Sequence, residues 1–205
     1  MKKFIFPKFS LLLLFLGIQG FQISHAGTTP KAVINELHQA LIQVMKKSED
    51  QDYDSRYKTL EPVVTDSFDF ETIGRVVLGR FWKKLDDQQK SEFLDVFSQL
   101  SIATYTAQFD SFSGEFFEYL SDKELKKGRI LVKTQLVSDD HVVPFNYVLQ
   151  PGPDRWRIIG ITVDGVSDLS LKRSDYTTIM KLDGFDGLIS KLQEKIEISS
   201  GNLLR

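Results

Sequence analysis

Outside the first 26 residues the chain holds two histidines, His38 and His141, and it contains no cysteine at all. A metal centre or a nucleophile–base pair needs several ligands or partners at defined spacing. His38 falls within a helical pattern and His141 in a turn between two strands, so both read as ordinary surface histidines. Without cysteine there is no thiol nucleophile, no disulfide and no thiolate metal site. Gly74, Gly79, Gly160 and Gly165 stand alone or at element ends, which gives no glycine-rich phosphate loop. Asp139-Asp140 occupies a hairpin turn, where solvated acids are expected. No pair of carboxylates is singled out for hydrolysis.

Aromatic content is what stands out. Phenylalanine occurs 16 times, and beyond Phe4, Phe6, Phe9, Phe15 and Phe21 most of it lies between Phe68 and Phe117. Rings in such numbers make a bulky core, or line an apolar pocket. A pocket for hydrocarbon needs no catalytic group. It needs apolar walls with few polar atoms, because a buried polar atom without a partner is costly.

The elements that would hold these rings divide the chain in two. Thr29-Pro30 begins a helix whose face is Val33, Leu37, Ala40, Leu41 and Val44. Further helices are predicted over residues 55–64, 70–78 (capped by Asp69, ended by Gly79) and 88–110 (opened by Asp86-Asp87). From Ser113 the apolar period changes to two, and strands are predicted over 115–120, 129–137, 142–150 and 156–163. Lys126-Lys127-Gly128, Asp139-Asp140 and Pro151-Gly152-Pro153-Asp154 supply short turns, hence an antiparallel meander. Two helices, about 175–182 and 186–196, close the chain around Gly184. The order predicts an α+β fold: a curved antiparallel sheet of about four strands wrapped by N- and C-terminal helices, able to leave a hollow between them.

Composition sets the compartment. Met1-Lys2-Lys3, an apolar run from Phe9 to Ile18 and Ser24-His25-Ala26 have the layout of a secretory signal, with cleavage after Ala26. The run is about half the ~20 residues that span a bilayer. Residues 27–205 would then form a single exported domain. Loss of Lys2, Lys3 and Lys8 takes the formal charge from -2 to -5. A mildly acidic protein is not drawn to nucleic acid or to anionic membrane surfaces by net charge.

Three stretches resemble one family. Phe68-Asp69-Phe70 through Val77-Leu78-Gly79-Arg80-Phe81-Trp82 is similar to its "FDF...r.vLG..W" segment. Asp87-Gln88-Gln89-Lys90-Ser91-Glu92-Phe93, with Phe97, Leu100 and Tyr105, is similar to "eqr..F...F..lL...Y". Trp156 through Gly165-Val166-Ser167, then Arg173-Ser174-Asp175-Tyr176 and Asp183-Gly184-Phe185-Asp186-Gly187-Leu188, resembles "W.v.Dv.veGVS", "R..f" and "G.dgLi..L". The family is that of the MlaC-type periplasmic phospholipid-binding proteins, also known as toluene-tolerance auxiliary components of an ABC transporter. The resemblance implies a cystatin/NTF2-like cone that carries phospholipid between outer and inner membrane, with acyl chains in its cavity and no cofactor. The implied partners are an inner-membrane MCE-domain ABC transporter and an outer-membrane lipoprotein–porin complex. Gly160 departs from the pattern, where the family often has aspartate, and so does Asp168-Leu169-Ser170-Leu171-Lys172. The latter also resembles the hopanoid-associated branch, which leaves cargo open between a two-chain phospholipid and a rigid polycyclic lipid.

On this reading the candidate lipid-contacting residues are Phe81, Trp82, Phe97, Leu100, Tyr105 and Phe109 from the helical side. Strand alternation adds Val143, Phe145, Tyr147 and Leu149 on the third strand, and Trp156 and Ile158 on the fourth. Core and pocket wall use the same residue types, so plain packing is the competing role for each. Asp164 and Arg173 are expected to pair, with Arg173 as a phosphate ligand the alternative. Two other readings compete with the carrier: an enzyme using the same cone, and an interaction adaptor or chaperone with a filled core.

Overall fold

The Thr29 hydroxyl accepts a hydrogen bond from Ala32 N–H at 3.1 Å, and with Pro30 in the first turn it starts α1 (Pro30–Lys46). This is a computed structural model, which describes residues 28–201; the predicted signal and its cleavage site lie outside them. Asp52 accepts from Ser55 N–H at 2.8 Å and so begins α2 (Tyr53–Ser67) ahead of the predicted start. Asp69 caps α3 (Phe70–Leu78) as expected, and Gly79, at φ 53, turns the chain into a short 3-10 segment, Gly79–Lys84. α4 (Asp87–Gln108) opens with a reciprocal capping box between Asp86 and Gln89.

The sheet runs β1 (Phe116–Glu124), β2 (Ile130–Val137), β3 (Val142–Pro151), β4 (Trp156–Val163) and β5 (Val166–Ser167), paired in that order and antiparallel throughout. The two-residue β5 adds to the four strands predicted. It follows the Asp164-Gly165 turn, in which both residues have positive φ. Ser167 then accepts from Ser170 N–H at 3.3 Å, so α5 (Asp168–Leu182) begins well before the predicted Asp175. Gly184, at φ 71, separates it from α6 (Gly184–Ser199).

β4 does not alternate regularly. Val148 pairs with Gly160 and Leu149 with Ile158, which leaves Ile159 as an extra residue in a β-bulge. Past the bulge the concave face is carried by Ile161 and Val163, opposite Tyr147 and Phe145. Gly160 has a packing role. A Cβ there would lie 2.9 Å from Leu169 Cδ1, so the bare backbone admits the first turn of α5 against the sheet.

One end of the concave face is filled solid by α1 and α2. Leu37, Leu41, Leu60, Leu149 and Ile158 are fully buried there. His38 belongs to this packing, which corrects its reading as a surface histidine. It is 7% exposed, stacks on Phe117 at 3.7 Å between ring centroids, and shares a 3.0 Å hydrogen bond with the Tyr147 hydroxyl. His141 is exposed in its turn, as expected.

Burial pushes the His38 pKa from 6.5 down to about 3. The fold therefore holds the neutral imidazole, while the unfolded chain takes up a proton near pH 6.5. The resulting stability is complete above that pH and is lost as pH falls toward 3. Denaturant unfolding of wild type and His38→Gln across this window should show it. Wild type should lose about 1.4 kcal/mol more per pH unit than the variant, which cannot titrate. Parallel pH profiles would contradict the assignment.

Candidate functional site

At the other end of the concave face the helices stand off from the sheet. α4 is apolar on more than one side: Phe93, Val96, Ile102 and Ala103 are buried, while the row Phe97, Leu100, Thr104, Tyr105 and Gln108 faces a cavity of about 740 Å³. This row covers eleven residue steps of helix, about 16 Å at ~1.5 Å per residue. Phe70 and Ile73 of α3, Phe145 of β3 and Ile161 and Val163 of β4 form further wall, and α5 and α6 close the outer side. The volume lies within the roughly 300–1,000 Å³ of small-molecule sites. It is about five times the ~150 Å³ of an apolar cavity that takes one benzene.

Rings give the wall its continuity. Phe68 stacks with Phe70 at 5.7 Å between centroids, and Phe70 meets Phe97 edge-on at 5.7 Å. Tyr176 meets Phe97 edge-on at 6.1 Å, and Phe109 lies 6.0 Å from Tyr105. The hydroxyls of Ser101 and Thr104 are turned back onto their own helix, donating to the carbonyls of Phe97 (2.9 Å) and Leu100 (2.7 Å). Their donor protons are thereby engaged by the helix rather than turned toward the cavity.

The charged residues of the lining pair with one another on α5 and α6. Asp168 pairs with Lys172 within α5, and Asp175 of α5 pairs with Lys195 of α6 at 2.8 Å. Val166, Leu171 and Ile198 also line the cavity and are 51%, 60% and 49% exposed, so the rim carries apolar side chains as well. A second, smaller depression of about 330 Å³ between α1 and α2 mixes the charged Glu36, Asp66 and Arg155 with Ala40, Pro62 and Val63. No cluster of three metal-ligating side chains occurs among the described residues. No helix among them is long and apolar enough to cross a membrane.

Of the twelve residues singled out from sequence, the structure brings five to the cavity wall: Phe97, Leu100, Tyr105, Phe109 and Phe145. The other seven sit elsewhere. Tyr147, Leu149 and Ile158 are fully buried at the solid end. Val143 and Trp156 are half-buried against the core. Trp82 closes the α3–α4 contact, with its ring 3.2 Å from where a Cβ on Gly74 would stand. Phe81 is half-buried beneath the cations of Arg80 and Lys84. Arg173 does not pair with Asp164; its guanidinium lies over Gly79, 3.3 Å from a Cβ built there.

Ile161 and Val163 were missed because the bulge at Ile159 inverts the alternation that Trp156 and Ile158 begin. Leu171 and Ile198 lie on stretches of α5 and α6 outside the predicted helices. Phe68 and Phe70 stood within a quoted motif, yet nothing in their spacing distinguished wall from core.

Comparison with known proteins gives three findings. The family model described as MlaC protein matches residues 35–194. The intermembrane phospholipid transport system binding protein MlaC of Haemophilus influenzae is 24% identical over 129 residues, 60% of this chain and 60% of that protein. The chain thus spans about 60% of the length of the curated relative it matches. A phospholipid-binding protein from Ralstonia solanacearum, solved in complex with a phospholipid, superposes with a TM-score of 0.71 at 17% identity, covering 83% of this chain and 96% of that one. That likeness shows the fold.

Urea unfolding of two alanine variants tests the bulged geometry of β4. Ile158→Ala, at the solid end, should cost about 2–5 kcal/mol. Ile161→Ala, facing the hollow, should cost less than about 2 kcal/mol. A larger loss at Ile161 than at Ile158 would contradict the assigned faces.

Proposed function

The chain belongs to the MlaC family, and from that membership we propose that it is a periplasmic carrier which shuttles phospholipid between outer and inner membrane with its acyl chains in the cavity. The family is one of lipid-binding transport proteins rather than enzymes. The single observation that carries the proposal is the apolar hollow of about 740 Å³ walled by Phe70, Phe97, Phe109, Phe145 and Ile161. Each methylene that moves there from water contributes about 0.8 kcal/mol. Chains in a bilayer are already out of water, so the hollow offers them an equivalent surrounding and spares them that cost during transit between membranes. The phospholipid-bound Ralstonia protein, which shares the fold, favours a two-chain phospholipid over a hopanoid as cargo.

On this reading the rim of α5 and α6 is where a partner hands lipid over. An inner-membrane MCE-domain ABC transporter and an outer-membrane lipoprotein–porin complex are the partners the family implies. The competing adaptor reading needs a filled interior, and a hollow of this size weighs against it. An enzyme would need converging titratable groups inside the cavity; its charged wall residues instead form ion pairs at the rim.

Mass spectrometry of lipid extracted from the native, exported protein should find phospholipid at close to one molecule per chain. Protein that emerges without lipid, and takes up none from phosphatidylglycerol vesicles after stripping, would overturn the proposal. Lipid binding should also raise the melting temperature of stripped protein in a concentration-dependent way. Leu100→Trp, which fills the hollow from α4, should cut uptake at least tenfold while the stripped protein still unfolds cooperatively.

A further inference from the structure

Two phenols face the cavity with nothing to bond to. Tyr105 of α4 and Tyr176 of α5 both line it. Neither hydroxyl has a hydrogen-bond partner among the described residues, and neither is among the oxygens sealed off from accessible space, as that of Tyr53 is. The enclosed hydroxyls nearest the sheet are satisfied within the fold: Tyr147 bonds His38, and Thr134 bonds the Phe145 carbonyl. Water can reach both oxygens of Tyr105 and Tyr176 when the cavity is unfilled, and a ligand that displaces this water keeps the two donors satisfied only if it supplies acceptors.

The surroundings define those acceptors. Burial comes first, and the Asp168 carboxylate second, in holding both phenols above the ordinary tyrosine range, so they stay protonated and can donate. Asp168 and Lys172, with Asp175 and Lys195, mark the charged rim. Phe97 and Phe70 mark the hydrocarbon wall. A diacyl glycerophospholipid carries three zones in that same order: a charged head, two ester carbonyls and two chains.

We propose that the Tyr105 and Tyr176 hydroxyls donate hydrogen bonds to the ester carbonyls of a diacyl lipid, so that the cavity selects ester-linked over ether-linked and polycyclic lipids. This rests on the carrier reading and adds to it a chemical basis for cargo choice. A dialkyl ether lipid has the same head and chains but no carbonyl. A polycyclic hydrocarbon skeleton offers none either and would leave both phenols unpaired.

The test is equilibrium competition on stripped protein between dipalmitoyl phosphatidylglycerol and its dihexadecyl ether analogue. Each hydrogen bond is worth roughly 2- to 12-fold in affinity, so wild type should prefer the ester lipid about tenfold. Tyr105→Phe and Tyr176→Phe keep the rings and their packing. Each should reduce the preference, and the double variant should bind both lipids alike, at the affinity wild type shows for the ether. Equal binding of both lipids by wild type would overturn the proposal while leaving the carrier reading intact. An ester preference that survives in the double variant would overturn it too. Failure of wild type to bind either lipid would overturn both readings.

Discussion

An apolar hollow of about 740 Å³ opens at the rim formed by α5 and α6. Water reaches its walls there when nothing else covers them, and hydrocarbon that displaces this water removes apolar surface from it. Phe97, Phe109, Phe145 and Ile161 give water little to bond, whereas hydrocarbon needs no bonds. The arrangement of the remaining elements follows from keeping such a space open without collapse.

Collapse is prevented by making the rest of the concave face solid. α1 and α2 fill one end of the sheet, and the His38–Phe117–Tyr147 group ties α1 to β1 and β3 through a stack and a buried hydrogen bond. α4 spans both regions, with Phe93 in the core and Phe97 to Gln108 along the hollow. The bulge at Ile159 turns the far half of β4 so that Ile161 and Val163 meet that space. Gly160 beside it lets Leu169 seat the start of α5, and with it the charged rim. One strand irregularity and one glycine thus shape both the floor of the hollow and its mouth.

Much of this was legible in the sequence, for identifiable reasons. Asp69 with Gly79 bounds α3 at the residues read from its cap and stop, and Asp86 opens α4. The change of apolar period after Ser113 marks where helices yield to the sheet. The α+β class and the family follow from such local signals. Which apolar residue meets hydrocarbon did not, because packing and pocket draw on the same side chains. Alternation through Trp156 and Ile158 pointed at the right strand and stopped short of the bulge that redirects it. His38 misled in the opposite direction: a histidine within a helix gives no sign that its partners, Phe117 and Tyr147, are distant strand residues.

Photo-crosslinking would locate bound hydrocarbon directly. A phosphatidylglycerol with a diazirine near the end of one acyl chain, loaded into the stripped protein and irradiated, should label peptides of α4 between Phe97 and Phe109, together with Phe145 and Ile161 to Val163. Label confined to the α1–α2 groove near Arg155, or to the convex face around Phe116 and Val142, would contradict an interior lipid site.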